Sequence, residues 1–141
     1  MYKPKKFKYK KLQKKKIKNY YITFTNKILD LNFGVYGIKS IEKGLIKPNQ
    51  IESVRKALSK EIKKLGKIWI RVFSTIVRTS KPAEVRMGKG KGNADYWASP
   101  VRSGQILFEI SNIKFSTAKK LFKKVSYKLP ILTQFIKKYK N

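Results

Sequence analysis

The segment Arg86-Met-Gly-Lys-Gly-Lys-Gly-Asn93 has the residue types and spacing that could do chemistry. Three glycines alternate with two lysines, an arginine stands just upstream, and no acidic residue lies between Glu84 and Asp95. Glycine visits φ > 0 at little cost and lets main-chain amides approach a surface closely. Successive amides in such a loop can form an anion-binding concavity. Lysines supply point charges for phosphate, and a guanidinium is a planar fork that binds bidentately or stacks on a base. The pattern predicts a loop that lies against an RNA backbone. The competing reading is a flexible glycine loop whose charges are merely solvated.

Catalysis finds no such parts. Gly88-Lys-Gly-Lys-Gly92 is neither G-x-G-x-x-G nor G-x-x-x-x-G-K-[ST], and a strand-like Tyr96-Trp97 follows it where a helix would be needed. The seven acids are scattered without an obvious carboxylate pair, and with no histidine in the chain none can activate a serine. An enzyme is therefore not expected. Without cysteine or histidine there is no thiolate or imidazole metal site, and no cofactor is expected.

Charge narrows the partner. The chain has 36 basic and 7 acidic residues among 141, a formal charge of +29. The isolated chain would repel itself, so a polyanion must neutralise it: nucleic acid, an anionic membrane or an acidic protein. Apolar residues still make up 41%, enough for one domain with a modest core. No apolar run approaches the roughly 18–20 residues that span a bilayer. The start, Met1-Tyr-Lys-Pro-Lys-Lys, lacks the apolar core of a secretion signal. A membrane-surface protein would display bulky apolar residues on a basic helix, whereas the apolar stripes here are needed for a core.

The elements that must position the loop can be read from periodicity. Residues 1–18 alternate lysine with Phe7, Tyr9, Leu12 and Ile17 and form a basic extension that orders only on RNA, ahead of a single domain over 19–141. From Tyr20 to Ile41 the pattern suggests short strands with a turn, and Gly34 and Gly37 mark a bulge or a close backbone approach. Ile51, Val54, Leu58, Ile62 and Leu65 predict a helix over Pro48–Leu65, with Lys47 as a poor N-cap and Gly66 just past its end. Its basic outer surface includes Arg55, Lys56, Lys60, Lys63 and Lys64.

Lys67-Ile-Trp-Ile-Arg-Val-Phe73 predicts the best strand, with Arg71 between two aromatics on a face that could meet RNA. Ser74 to Pro82 reads as a loop. Strands follow over Tyr96–Val101 and Ile106–Ile110, with a turn at Ser103-Gly104. A second helix is predicted over Thr117–Leu129, with Ser116 as N-cap and Pro130 as stop, and a last strand over Ile131–Ile136. The expected fold is α+β: two helices packed on a mostly antiparallel sheet as a two-layer sandwich, with the basic extension and the long glycine–lysine loop outside it.

Lys67-Ile-Trp-Ile-Arg-Val-Phe73, followed by Lys81-Pro-Ala-Glu-Val-Arg-Met-Gly-Lys-Gly-Lys-Gly-Asn93, resembles the bacterial-type large-subunit ribosomal protein sixteen family. The likeness includes Met1-Tyr-Lys-Pro-Lys5, Phe33-Gly-Val-Tyr-Gly-Ile-Lys39, Gln50-Ile-Glu52, Tyr96-Trp97, Gly104-Gln-Ile-Leu-Phe-Glu109 and Lys128-Leu-Pro-Ile131. It implies a non-catalytic structural protein at the base of the central protuberance of the large ribosomal subunit. Such a protein binds large-subunit rRNA beside neighbouring ribosomal proteins. It helps shape the site where aminoacyl-tRNA enters the peptidyl transferase centre.

Carried over by position, Lys81, Arg86, Met87, Gly88, Lys89, Gly90, Lys91 and Gly92 match the family's loop that reaches toward the tRNA arms. The N-terminal Lys3, Lys5, Lys6, Lys8, Lys10 and Lys11, with Arg55 and Lys56, match positions that face rRNA or tRNA. The family's N-terminal third is rich in glycine and arginine, whereas lysine, isoleucine, tyrosine and asparagine dominate here around Ile17–Leu31. Lysine keeps the charge and loses the bidentate fork. The variants Lys81-Pro-Ala-Glu-Val-Arg86 and Ser103-Gly-Gln-Ile-Leu-Phe-Glu109 look more like the mitochondrial branch. With a motif that begins at residue 1 and a composition favoured by AT-rich coding, they point to an organelle-encoded mitochondrial protein, with a bacterial cytoplasm as second choice. The alternative from another class is a free-standing basic RNA-binding regulator or chaperone.

Overall fold

The computed structural model describes residues 4–6, 8, 9, 11–13, 30–62 and 66–138. In chain order the elements are β1 (Tyr36–Ser40), β2 (Gly44–Ile46), α1 (Pro48–Ile62), β3 (Lys67–Ile70), β4 (Ile76–Ser80), β5 (Asn93–Val101), β6 (Ile106–Ser111), α2 (Phe115–Ser126) and β7 (Thr133–Lys137). The fold is α+β, and its strands form two sheets where one was expected. Four strands run in the order β3-β6-β1-β7 and three in the order β2-β5-β4, with every pair antiparallel.

Helix α1 forms because Ile51, Val54, Leu58 and Ile62 fall on one face, and all four are buried. Lys47 has no oxygen to cap the first turn. Instead the Lys47 amide donates to the Gln50 side chain at 2.9 Å, half of a capping box. The predicted end at Leu65 lies outside the described residues.

Helix α2 begins earlier than the sequence suggested: its N-cap is Lys114, with no side-chain cap, and Ser116 lies inside the first turn. Phe115 packs against Tyr36 and Phe135, with ring centroids 6.1 and 5.8 Å apart, and this contact sits at the helix start. The helix also stops before Leu129. Lys128 and Leu129 donate to the carbonyls of Val125 and Ser126, tightening the chain ahead of Pro130. Both helices cover one face of the four-stranded sheet, where Tyr36, Ile38, Phe108 and Ile110 meet Val54, Leu58, Leu121, Phe122 and Val125 in the main core.

Two strand assignments change. The predicted strand over 67–73 ends at Ile70, and the stretch assigned to a loop contains β4. Ser, Thr and Arg in Ile76–Ser80 disguise it, because its ladder comes from β5 rather than from local propensity. In β6, Leu107 is left over where the register slips between Ile38 and Lys39, and the strand is buried on both sides. The last strand runs over Thr133–Lys137, later than expected.

On the reverse face of this sheet the Glu109 carboxylate is fully buried. It accepts hydrogen bonds from the amides of Phe33 and Gly34, both at 2.7 Å, and forms an ion pair with the Arg71 guanidinium. Gly34 is the close approach that the sequence suggested, since a Cβ there would lie 2.8 Å from the main chain of Ile110. Phe33 stacks on Trp69 at 6.2 Å, completing a small lid over Glu109.

The two sheets meet at one corner, where the β1–β2 and β5–β6 connections run side by side. Ser40 N donates to Gln105 O at 2.8 Å and Gly104 N to Ser40 O at 2.7 Å. Ser103 Oγ donates to Ile41 O at 2.5 Å, and Arg102 N to Gln105 Oε1 at 3.1 Å.

Candidate nucleic-acid interface

Strands β4 and β5 pair as far as Ser80 opposite Asn93, so residues 81–92 form the loop of a hairpin arm. The register slips between Arg78 and Thr79, whose partners are Tyr96 and Ala94, and a bulge of this kind increases the twist of the arm just below the loop. The first three residues of β5 are exposed and its far end is buried, so the arm projects from the body.

Every residue from Lys81 to Lys91 is exposed, and Met87 is completely so. Gly88, Lys89 and Gly90 all have positive φ, at 102°, 52° and 78°. The glycines therefore serve backbone conformation, and a Cβ at Gly88 or Gly90 would meet nothing within 4 Å. Gly92 has a different duty. A Cβ there would collide with the Ser80 carbonyl, so it permits closure of the loop base.

The lysines shape the loop as well as charging it. Lys81 Nζ donates to the Gly88 carbonyl across the neck. Lys11 Nζ donates to Lys91 O at 3.2 Å, and Lys91 Nζ donates to Leu12 O. The N-terminal segment and the loop thus lie side by side. An ammonium has three donors, so each of these lysines keeps hydrogens for phosphate. Lys5, Lys6 and Lys8 are also exposed, while Lys3 and Lys10 lie outside the described residues.

The helix residues divide. Lys56 is exposed, but Arg55 turns its fork onto Glu52, with Nε–Oε2 3.0 Å and Nη2–Oε1 2.6 Å. That hydrogen bonding, ahead of the other nearby charges, holds the Glu52 carboxyl below its ordinary range.

Arg71 departs from expectation. Its side chain is only 15% exposed and is engaged by Glu109 and by the Phe33 ring, 5.3 Å away. It holds the lid of the sheet and does not line an outward face. Sequence reasoning missed Glu109 as its partner. The available signal was a lone acid within the apolar run Ile106–Ile110.

Among the described residues no group of acids could hold a metal ion, and no helix is long and apolar enough to cross a membrane. The arrangement offers cations and free main chain on a projecting arm, which suits binding a polyanion rather than transforming a small molecule.

Comparison with known proteins agrees. Residues 4–136 match the family model described as ribosomal protein L16p/L10e. The chain is 48% identical over 138 residues to the large ribosomal subunit protein uL16 of Buchnera aphidicola subsp. Cinara cedri, covering 98% of each chain. It is 44% identical to the uL16 of Wigglesworthia glossinidia brevipalpis, again over 98% of each chain. With the uL16 of Rhodospirillum centenum the identity is 42% over 136 residues, covering 96% of this chain and 94% of that one. A match that takes in both sheets, both helices and the projecting loop makes this chain a member of the ribosomal protein L16p/L10e family, a structural constituent of the large ribosomal subunit and not an enzyme.

Proposed function

We propose that residues 81–92 and the adjoining N-terminal lysines hold large-subunit rRNA near the central protuberance, and that Arg86 to Lys91 reach the aminoacyl-tRNA site beside the peptidyl transferase centre. One observation carries the reading: an exposed hairpin loop with left-handed backbone at Gly88–Gly90, where a Cβ on either glycine would meet nothing, flanked by the exposed cations Lys81, Arg86, Lys89 and Lys91. Lys11 and Lys91 join the tail to this surface. Lys56 adds an exposed cation on α1, whereas the charge of Arg55 is already matched by Glu52.

The test replaces Arg86, Lys89 and Lys91 together with alanine. Surface changes of this kind usually alter stability by no more than about 0.5 kcal/mol each, while each lost charge-assisted contact costs about 1–3 kcal/mol of RNA binding. The expected result is a normally folded protein in assembled subunits that accommodate aminoacyl-tRNA slowly, read by rapid kinetics. Accommodation at the normal rate would reduce the loop to an rRNA anchor or spacer. A free-standing regulator or chaperone predicts instead that the protein leaves the large subunit in a high-salt sedimentation wash.

The compartment follows from the type of ribosome. The relatives above are bacterial, which fits a bacterial cytoplasm. The mitochondrial reading rests on the two variant motifs, Lys81–Arg86 and Ser103–Glu109, and on the AT-favoured composition. Fractionation of the source cells separates the two.

A further inference from the structure

Away from the loop, α2 and β7 enclose an open groove of about 580 Å³ floored by Ile38, Phe122 and Phe135. Lys119, Lys120 and Lys123 rim it, and no acidic residue lines it. A second hollow, which Glu42 also lines, shares Ser126 and Thr133 with it and leads past Tyr127 and Leu132, which are 79% and 61% exposed, so the purely basic rim belongs to the first groove. Phe115 stands 48% exposed at the other end. An apolar strip rimmed by polar residues is the form that protein, membrane and ligand contact sites take. Among the described residues β7 pairs only with β1, so its outer edge also offers a row of main-chain donors and acceptors.

We infer that this face receives an acidic, amphipathic extended segment of a neighbouring large-subunit protein, laid along β7 as an added strand. Alternate apolar side chains of that segment fill the groove, and its carboxylates meet the lysine rim. Addition at a sheet edge takes affinity from the main chain and specificity from such pockets. The lysines repel most basic segments and select an acidic one. RNA fits less well. The Phe135 ring already packs on Tyr36, Phe115 and Phe122 at 5.9, 5.8 and 5.2 Å, which leaves little ring face for a base. Phosphates, which only accept, would leave the carbonyls of the strand edge unmet, where a peptide strand matches both donors and acceptors. The inference rests on the chain's place in the large subunit and is independent of what the glycine–lysine loop touches.

The test is site-specific photocrosslinking in purified large subunits that carry the full-length chain. Gln134→p-benzoylphenylalanine places the probe at an exposed position on β7, and Met87→p-benzoylphenylalanine places it on the loop. At Gln134 the expected product is a cross-link to another subunit protein, at a peptide that mass spectrometry shows to alternate Asp or Glu with apolar residues. The double variant Lys119→Glu/Lys123→Glu, on the exposed face of α2, should lower that yield by about tenfold and leave the Met87 product unchanged. Cross-linking from Gln134 to rRNA, to this chain itself, to a second copy or to nothing overturns the inference. An altered product at Met87 bears only on the proposed loop function.

Discussion

Glu109 shows how much one side chain can organise. Its oxygens receive two amides and a guanidinium at a site without solvent, so the charge is matched where it would otherwise be costly. Glu109→Ala leaves all three donors unmatched, and a loss of about 3–5 kcal/mol is expected in chemical denaturation. Arg71→Ala should destabilise too, and the double variant should cost less than the sum, because the two residues form one network. The glycines give a contrasting prediction. Gly88→Val with Gly90→Val strains φ on an open loop, so circular dichroism should stay native while RNA binding falls. The loop residues were legible because their chemistry is local. The Arg71–Glu109 pair was not, since its members lie 38 positions apart and only the pairing of β3 with β6 brings them together.

At the scale of elements, Lys11 and Leu12 of the extension are tied to the hairpin loop at Lys91. Deleting residues 1–18 should leave the domain folded, because the core is assembled from residues beyond them, and should reduce occupancy in large subunits. Circular dichroism and quantitative mass spectrometry of gradient fractions check the two halves of that prediction. Amphipathic spacing made both helices legible, and α1 starts where its pattern said. Helix α2 was misplaced at its start because Ser116 is a strong local signal, while the packing of Phe115 belongs to the tertiary structure. Strand β4 was missed because a strand without an apolar run declares itself only through its partner. The division into two sheets was equally hidden, since Ser103-Gly104 reads as a turn whether or not the flanking strands pair with each other.

For the whole molecule, charge is the governing quantity. Neutralising about ten phosphates gives a slope of log K against log salt of roughly −7 to −9, depending on whether the RNA is single- or double-stranded. Filter binding of a large-subunit rRNA fragment across a salt series measures it. A slope shallower than about −3 would mean that most of the +29 charge is idle. Only three ion pairs occur among the described residues, and two of these, Arg55–Glu52 and Lys124–Glu61, lie at partly exposed surfaces. With 7 acidic residues against 36 basic ones, internal pairing can offset little of the positive charge.

The corner at Ser40 and Gln105 also stands at the root of a long lever. Beyond it β5 runs for nine residues, about 30 Å at roughly 3.3 Å per residue, before the loop begins. A rotation of about 5° at the corner would carry the far end about 3 Å sideways, the length of a hydrogen bond. Aim is therefore set at the root of the arm and away from the loop, by three hydrogen bonds between the two connections and by the pairing of β2 with β5. Loosening them, as Ser103→Ala would at the Ile41 carbonyl, would keep every cation of the loop and still spoil its pointing, since a stiff arm multiplies small angular errors at its root.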